Sequence, residues 1–419
     1  MYRIYVGSNL IYPVDSDTED YTVINPHLDI ETNKAESLEF TLPPDHPAWN
    51  GLEEMLTYVS VWNDNECFFY GRVLSAERDF DNCITYHCEG ALGFLNDTVV
   101  GKVSSTSQTP ADRLNGILTA HNNIVDDARK LYYGGSKMNT TVKISNPDYC
   151  QRMDFLMNLV EAHGGNISTR YVYDDDNDII KPYLFWYKDS DLDLNHAIGL
   201  KYSYEHSNGN TYEDYPPRNA QPITFARNIL DLSSKADKSE IYTYCLALGR
   251  KSSGSRITLS NYSGTATVVG TGGSGETYYT NSSGDYRAYA IATNAAAEYG
   301  RICKVVTFDK ATSASDLFDR AVEEMEKVIY GSASEYEVSA IDLISGGLTD
   351  YDHIRVGDLY CITSEAHDIE ENLVCTRAEI DLASPDQSRY TFGGKPLKLS
   401  GMTAASMNDL RRIGIADDE

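Results

Sequence analysis

The sequence predicts an α+β chain that is mainly β, on three observations. Short runs of alternating apolar and polar residues, bounded by Asn, Asp, Gly and Pro, fill both ends of the chain. Tyrosine is abundant, at 31 of 419 residues, and with Thr and Val it favours strands. Clear helical periodicity is confined to the middle of the chain, and the last residues carry only a weak trace of it. At about 150 residues per domain, the length makes two or three domains.

Residues 1–103 read as a small antiparallel barrel or sandwich. The runs are YRIYV from Tyr2, DYTVIN from Asp20, SLEFTL from Ser37, YVSVW from Tyr58, CFFYGRV from Cys67 and ITYHCEG from Ile84, with a turn at Asn63–Glu66. Arg72 and Glu89 fall on strands that should be neighbours, which makes a cross-strand pair. His46 between Pro44 and Pro47 closes a strand in a turn. An α+β module, 104–225 with 251–332, follows. Thr109 as N-cap, Pro110 at the first helical position and Leu114, Ile117 and Leu118 on one face describe a first helix. A second should run from Asn146-Pro147 through Met153, Leu156, Leu159 and Val160 to a stop at Gly164-Gly165. A hairpin joins Tyr171–Tyr173 to Tyr183–Trp186. A third helix spans Ser315–Tyr330, with Phe318, Ala321, Val322, Met325 and Ile329 apolar. Lys251–Asp285 is rich in Ser, Gly, Thr and Asn, and is expected to be a mobile excursion.

Thirty-five basic against 63 acidic residues give a formal charge of −28, which disfavours a surface for nucleic acid or anionic membrane. No apolar stretch approaches the roughly 20 residues that span a bilayer. The first residues read as a strand and not as a signal peptide, so synthesis in the cytoplasm is expected. Eight scattered cysteines without a CxxC read as reduced core residues. Cys83 and Cys88 read as sharing a strand, on opposite faces.

The motifs with chemical potential are few. Asp174, Asp175, Asp176 and Asp178 form a candidate acidic turn, but an EF-hand loop would need Gly where Ile179 stands and Glu where Phe185 stands, so a solvated hairpin turn is the reading. Gly270–Gly275 lacks the Lys-Ser/Thr ending of a phosphate loop. There is no HExxH, no GxSxG, no recognisable cysteine nucleophile signature, and no histidine pair spaced to share a zinc ion. No catalysis, cofactor or metal is expected.

The C-terminal strands YEVSAIDL from Tyr336, IRVGDLYCI from Ile354 and DLASPDQSRYTFG from Asp381 resemble, in order, the C-terminal barrel of the prophage endopeptidase tail family. Pro44-Asp45-His46-Pro47, Phe68–Val73 and Tyr86–Gly90 followed by Leu92 and Leu95 resemble its N-terminal barrel, and Ala226–Gly249 the strand pair that begins its second. The resemblance implies two similar small antiparallel β-barrels, 1–103 and 226–250 with 333–394, around the split α+β module, as in phage baseplate hub proteins, with a tail at 395–419. It implies a structural virion protein at the distal end of a bacteriophage tail: a homotrimeric hub that adapts a sixfold tube or distal tail ring to a threefold tip and lets DNA pass without specific binding. Its partners would be the distal tail protein ring, the tape-measure protein and the tip or fibre proteins. In the family the lytic or fibre activity lies C-terminal to the hub module, and the short tail here makes a hydrolase unexpected. A tail-associated peptidoglycan hydrolase and a receptor- or carbohydrate-binding tip protein are the alternatives; the tyrosines allow the second, because sugar sites use aromatic faces.

Overall fold

The computed structural model describes residues 2–393 apart from 14–21, 137, 139–141, 147–148, 175–177, 201, 206–210, 215, 236–240, 253, 270–274, 282–285, 310, 331–334 and 345–350. Two compact units divide the chain: 1–232 with 337–419, and 233–336.

In the larger unit, β1 (Tyr2–Val6), β2 (Asn9–Pro13), β3 (Ile24–Glu31), β4 (Ser37–Leu42), β5 (Tyr58–Asn63), β6 (Glu66–Arg78) and β7 (Ile84–Gly90) form an antiparallel half-barrel. Its alternation is legible in β7, where Ile84, Tyr86, Cys88 and Gly90 are buried and Thr85, His87 and Glu89 are less so. Cys83 lies in the turn before β7, so it does not share the strand with Cys88 as expected. Gly71 is required where β6 crosses β7: a Cβ there would stand 2.1 Å from the Glu89 carbonyl oxygen. His46 is buried in its turn; its Nδ1 accepts from the Ala48 N–H at 3.0 Å, so its Nε2 donates to the Ile11 carbonyl, also at 3.0 Å.

Beyond a 3-10 turn at Ala91–Asp97 come β8 (Val99–Val100), β9 (Val103–Gln108) and α1 (Pro110–Asn122), then β10 (Tyr132–Gly135), β11 (Val142–Asn146), β12 (Cys150–Gln151) and α2 (Arg152–His163). Thr109 caps α1 by accepting from the Asp112 N–H, and Leu114, Ile117 and Leu118 are buried as the periodicity predicts. α2 begins later than expected because Asn146 belongs to β11, which pairs with β9; its stop is Gly164, at φ +75°. Both helices share a core with the 3-10 turn, including Leu92, Phe94, Leu156 and Trp186. The hairpin is β13 (Asn166–Asp174) against β14 (Ile179–Tyr187), with β10 parallel to β14; β15 (Tyr202–Glu205) pairs β16 (Thr211–Asp214).

The next strands are β17 (Ile223–Thr224) and β18 (Ile229–Lys235), after which the chain enters the smaller unit. There β19 (Tyr244–Ser252), β20 (Ser255–Thr258), β21 (Thr265–Val269), β22 (Gly275–Thr280), β23 (Tyr289–Ala292) and β24 (Cys303–Thr307) build a six-stranded sheet with α3 (Thr293–Tyr299) and α4 (Ala314–Tyr330). This differs from the sequence expectation twice. The expected mobile excursion 251–285 contains three strands of this sheet, with Leu259 and Tyr278 in its core beside Phe318 and Met325 of α4. Residues 244–250, expected in the second barrel, lie here instead, because β19 runs parallel to β24 and antiparallel to β23, burying Cys245 and Ala247.

Back in the larger unit, β25 (Glu335–Ala340), β26 (Leu359–Ser364), β27 (Ile369–Asp381) and β28 (Arg389–Gly393) join β17 and β18 in a second half-barrel. β27 then pairs β3 antiparallel, from Arg377 opposite Glu31 to Asp381 opposite His27. The two halves are therefore one continuous sheet, in the order β18-β25-β28-β27-β3-β4-β7-β6-β5-β1-β2, with β26 paired to β27 and β17 to β26. One core runs through both halves, from Ile4, Phe40 and Tyr86 to Ile362, Tyr390 and Phe392.

Candidate functional site

The outer face of β1, β5 and β6 floors an open cleft of about 1690 Å³ within the larger unit. Strand alternation builds that floor. Tyr2, Ile4, Val59 and Val61 point to the core, so Arg3, Tyr5, Tyr58 and Trp62 take the other face. Register sets Tyr5 opposite Ser60 and Ser60 opposite Tyr70, with Arg3 opposite Trp62 in the next row. Arg170–Tyr173 of β13 and Asp178–Ile180 at the start of β14 wall one side; the Tyr173 ring meets Trp62 edge-on, centroids 5.7 Å apart. The segments around Arg218 and His353–Asp358 wall the rest.

Most of the wall cations are already neutralised. Asp358, almost fully buried, receives Arg170 at 3.2 Å and Arg218 at 3.5 Å, while its Oδ1 accepts the Ile198 N–H at 2.7 Å. Arg355 pairs with Glu66 and lies over the Phe68 ring. Behind it, His353 Nδ1 meets the buried Asp342 at 2.8 Å. Burial alone would raise the Asp342 carboxyl, but hydrogen bonds from His353 and Gln221 outweigh it and hold the group below the usual carboxylate range. Glu36 shows the opposite balance. It is buried beside Gly90, its Oε2 has no partner, and desolvation raises its carboxyl above the ordinary value.

The expected Arg72–Glu89 pair exists, at 3.1 Å, and the two residues face each other across β6 and β7. Sequence reasoning missed Asp97, which binds the same guanidinium at 2.6 and 2.9 Å, and Arg129, which reaches Asp97 at 3.2 Å. Arg72 is buried and packs over the Phe94 ring. None of these four charged residues lines the cleft, though Phe94 contacts Tyr58 and Tyr70 of its floor. In the candidate acidic turn, Asp174 is ion-paired with Lys181 and Asp178 accepts from the Tyr173 hydroxyl, while Asp175 and Asp176 lie outside the described residues. Of the two described carboxylates of this turn, Asp178 lines the cleft and Asp174 does not. Gly270–Ser274 also lies outside the described residues. No cluster of three or more His, Cys, Asp or Glu could hold a metal ion among the described residues, and no helix there is long and apolar enough to cross a membrane. All eight cysteines are free thiols.

This architecture, mainly β with two curled half-barrels in one sheet, is that of phage tail proteins. Solved structures that match nearly the whole chain include prophage tail protein gp18 from Listeria monocytogenes EGD-e (12% identity, 98% of this chain and 99% of that one, TM-score 0.50), the tail protein from Neisseria meningitidis MC58 (11%, 96% and 98%, 0.52) and the 43 kDa tail protein of prophage MuSo2 from Shewanella oneidensis (11%, 93% and 97%, 0.50). At such identity the likeness is one of fold. Residues 216–403 match the family model described as Prophage endopeptidase tail, so the resemblance seen in the sequence stands: the chain is similar to phage tail proteins. No curated protein matches it.

Proposed function

We propose that three copies of this chain form the hub at the distal end of a bacteriophage tail, a structural adaptor that joins a sixfold tube or distal tail ring to a threefold tip. The observation that carries the reading is the pair of half-barrels joined through β27 and β3 in one chain. Two similar modules per subunit let a trimer present six modules around its axis, which resolves the symmetry mismatch without any bond being made or broken. Among the described residues, β2, β18 and β17 each have a neighbour on one side only, and such edges invite pairing with another chain. In this reading the ring encloses the channel through which DNA leaves. The formal charge of −28 per chain suits a wall that does not retain phosphate. The distal tail ring, the tape-measure protein and the tip or fibre proteins are the partners, and the virion tail is the location. No step of this role requires catalysis.

Sedimentation and negative-stain imaging of the purified protein test the reading. The expected result is a threefold ring with a central hole, formed through interfaces above the standard size of about 1,600 Å². A monomer at micromolar concentration that forms no ring on adding the distal tail protein overturns it.

A further inference from the structure

We propose that the cleft on the outer face of β1, β5 and β6 binds a neutral oligosaccharide. The hub reading does not require this, and the main core of the sheet lies on the opposite face of the same strands, while on the cleft side Tyr58 and Tyr70 pack against the core that holds Phe94. Three features define the ligand class. The floor is aromatic where an outer sheet face is ordinarily polar: Tyr5, Tyr58, Trp62 and Tyr70 are all half-buried there, and since Tyr58 and Tyr70 stack on each other against Phe94, the rings of Tyr5 and Trp62 are the planar surfaces suited to the C–H face of a sugar ring. Among the described residues, the hydroxyls of Tyr5 and Tyr58 and the guanidinium of Arg3 have no hydrogen-bond partner, so donors and acceptors stand free beside those rings for the hydroxyls of a ligand. The lining carries more carboxylates than guanidiniums, and Arg170, Arg218 and Arg355 are already paired with Asp358 or Glu66, which makes the cleft unfavourable for a polyanion such as a nucleic acid.

Size points to more than one ring. The cleft, at about 1690 Å³, exceeds the roughly 300–1,000 Å³ of ordinary small-ligand pockets, and it is open along the sheet face, so a chain of sugars can lie across the rows Tyr5-Ser60-Tyr70 and Arg3-Trp62. A neutral chain that offers apolar faces and polar edges together satisfies both parts of this surface. A wholly apolar segment would bury the Tyr hydroxyls and Arg3 without partners.

The test uses the purified full chain with three probes, chitotetraose, cellotetraose and maltotetraose, read by saturation-transfer NMR and by tryptophan fluorescence. Trp62 is the cleft's only tryptophan, and Trp186 is fully buried. At least one probe should bind saturably below about 10 mM, with affinity reduced about tenfold or more by Trp62→Ala and by Arg3→Ala, and unchanged by Tyr279→Ala in the smaller unit. Circular dichroism of each variant confirms folding, and Arg3→Ala serves if Trp62→Ala does not fold. Saturable binding that is lost in these variants establishes the site. The proposal is overturned if none of the three probes binds, or if binding persists unchanged in both variants.

Discussion

Arg72 illustrates how one side chain can hold three elements. Its guanidinium leaves β6, pairs with Glu89 on β7 and with Asp97 at the end of the 3-10 turn, and its planar face covers Phe94. Because the group is buried, truncation would leave Glu89 without its guanidinium and Asp97 with only Arg129; Arg72→Ala should cost about 3 kcal/mol in urea unfolding, and Arg72→Lys should recover only part, since an ammonium cannot match the bidentate geometry to Asp97. A loss below about 1 kcal/mol would mean that the cluster is solvated in solution. His121 supplies a pH effect. It is fully buried; its Nε2 donates to the Arg129 carbonyl at 3.0 Å and its Nδ1 accepts from the Thr98 hydroxyl at 2.9 Å, whose oxygen in turn accepts from Arg152 Nε. Burial lowers its pKa, so below the unfolded value of about 6.5 the unfolded chain takes up a proton that the folded chain resists. Stability from this group is therefore full above that pH and is lost as the pH falls toward the folded value. Thermal unfolding at about pH 7.5 and 5.5 should show a larger drop for the wild type than for His121→Gln, and equal drops would contradict the assignment.

At the scale of elements, the smaller unit reverses a sequence-based expectation. Its Gly- and Ser-rich stretch reads as removable, yet β22 places Glu276 under α3, where its carboxylate accepts from the N–H groups of Thr277, Asn294 and Ala295 at 3.0, 2.7 and 2.9 Å. Tyr278 on the same strand is fully buried. Deleting residues 254–281 should therefore unfold the unit 233–336, seen as loss of amide protection in β19, β23 and α4; retained protection there would restore the picture of a dispensable excursion. What made the rest legible was local. The strands of the first half-barrel announce themselves by period-two alternation between turn residues, and α1 by Thr109, Pro110 and a buried face of Leu114, Ile117 and Leu118. β19 was misplaced because its decisive neighbour, β24, is a parallel partner more than fifty residues away, and parallel pairing leaves no turn signal between the strands. The cleft was illegible for a similar reason: its floor and walls come from separate stretches, Arg3 to Tyr70, Arg170 to Ile180, Ala197 to Arg218 and Ile344 to Asp358, that only tertiary pairing brings together.

At the scale of the whole molecule, the question is where 63 acidic residues act. Several are already spent inside the subunit: Asp358 and Asp342 are buried and hydrogen-bonded, Asp97 and Glu89 serve Arg72, and Asp174 is neutralised by Lys181. The candidate turn at Asp174–Asp178 thus has at least one carboxylate with less charge to offer than its sequence suggests. The surplus over 35 basic residues must still lie largely at the surface, and in the proposed trimeric ring part of that surface would face the channel. A wall rich in Lys and Arg would condense onto the phosphate backbone and release counterions, binding DNA in transit; a wall of Asp and Glu repels it within a Debye length of about 10 Å at 0.1 M salt. The lumen of the assembled ring is therefore expected to be lined mainly by acidic side chains, and ejection should slow when those residues are reversed to Lys, most strongly at low salt. A ring whose narrowest section carries net positive charge, or a charge-reversed lumen that releases DNA at the normal rate, would exclude electrostatic repulsion as the means of passage.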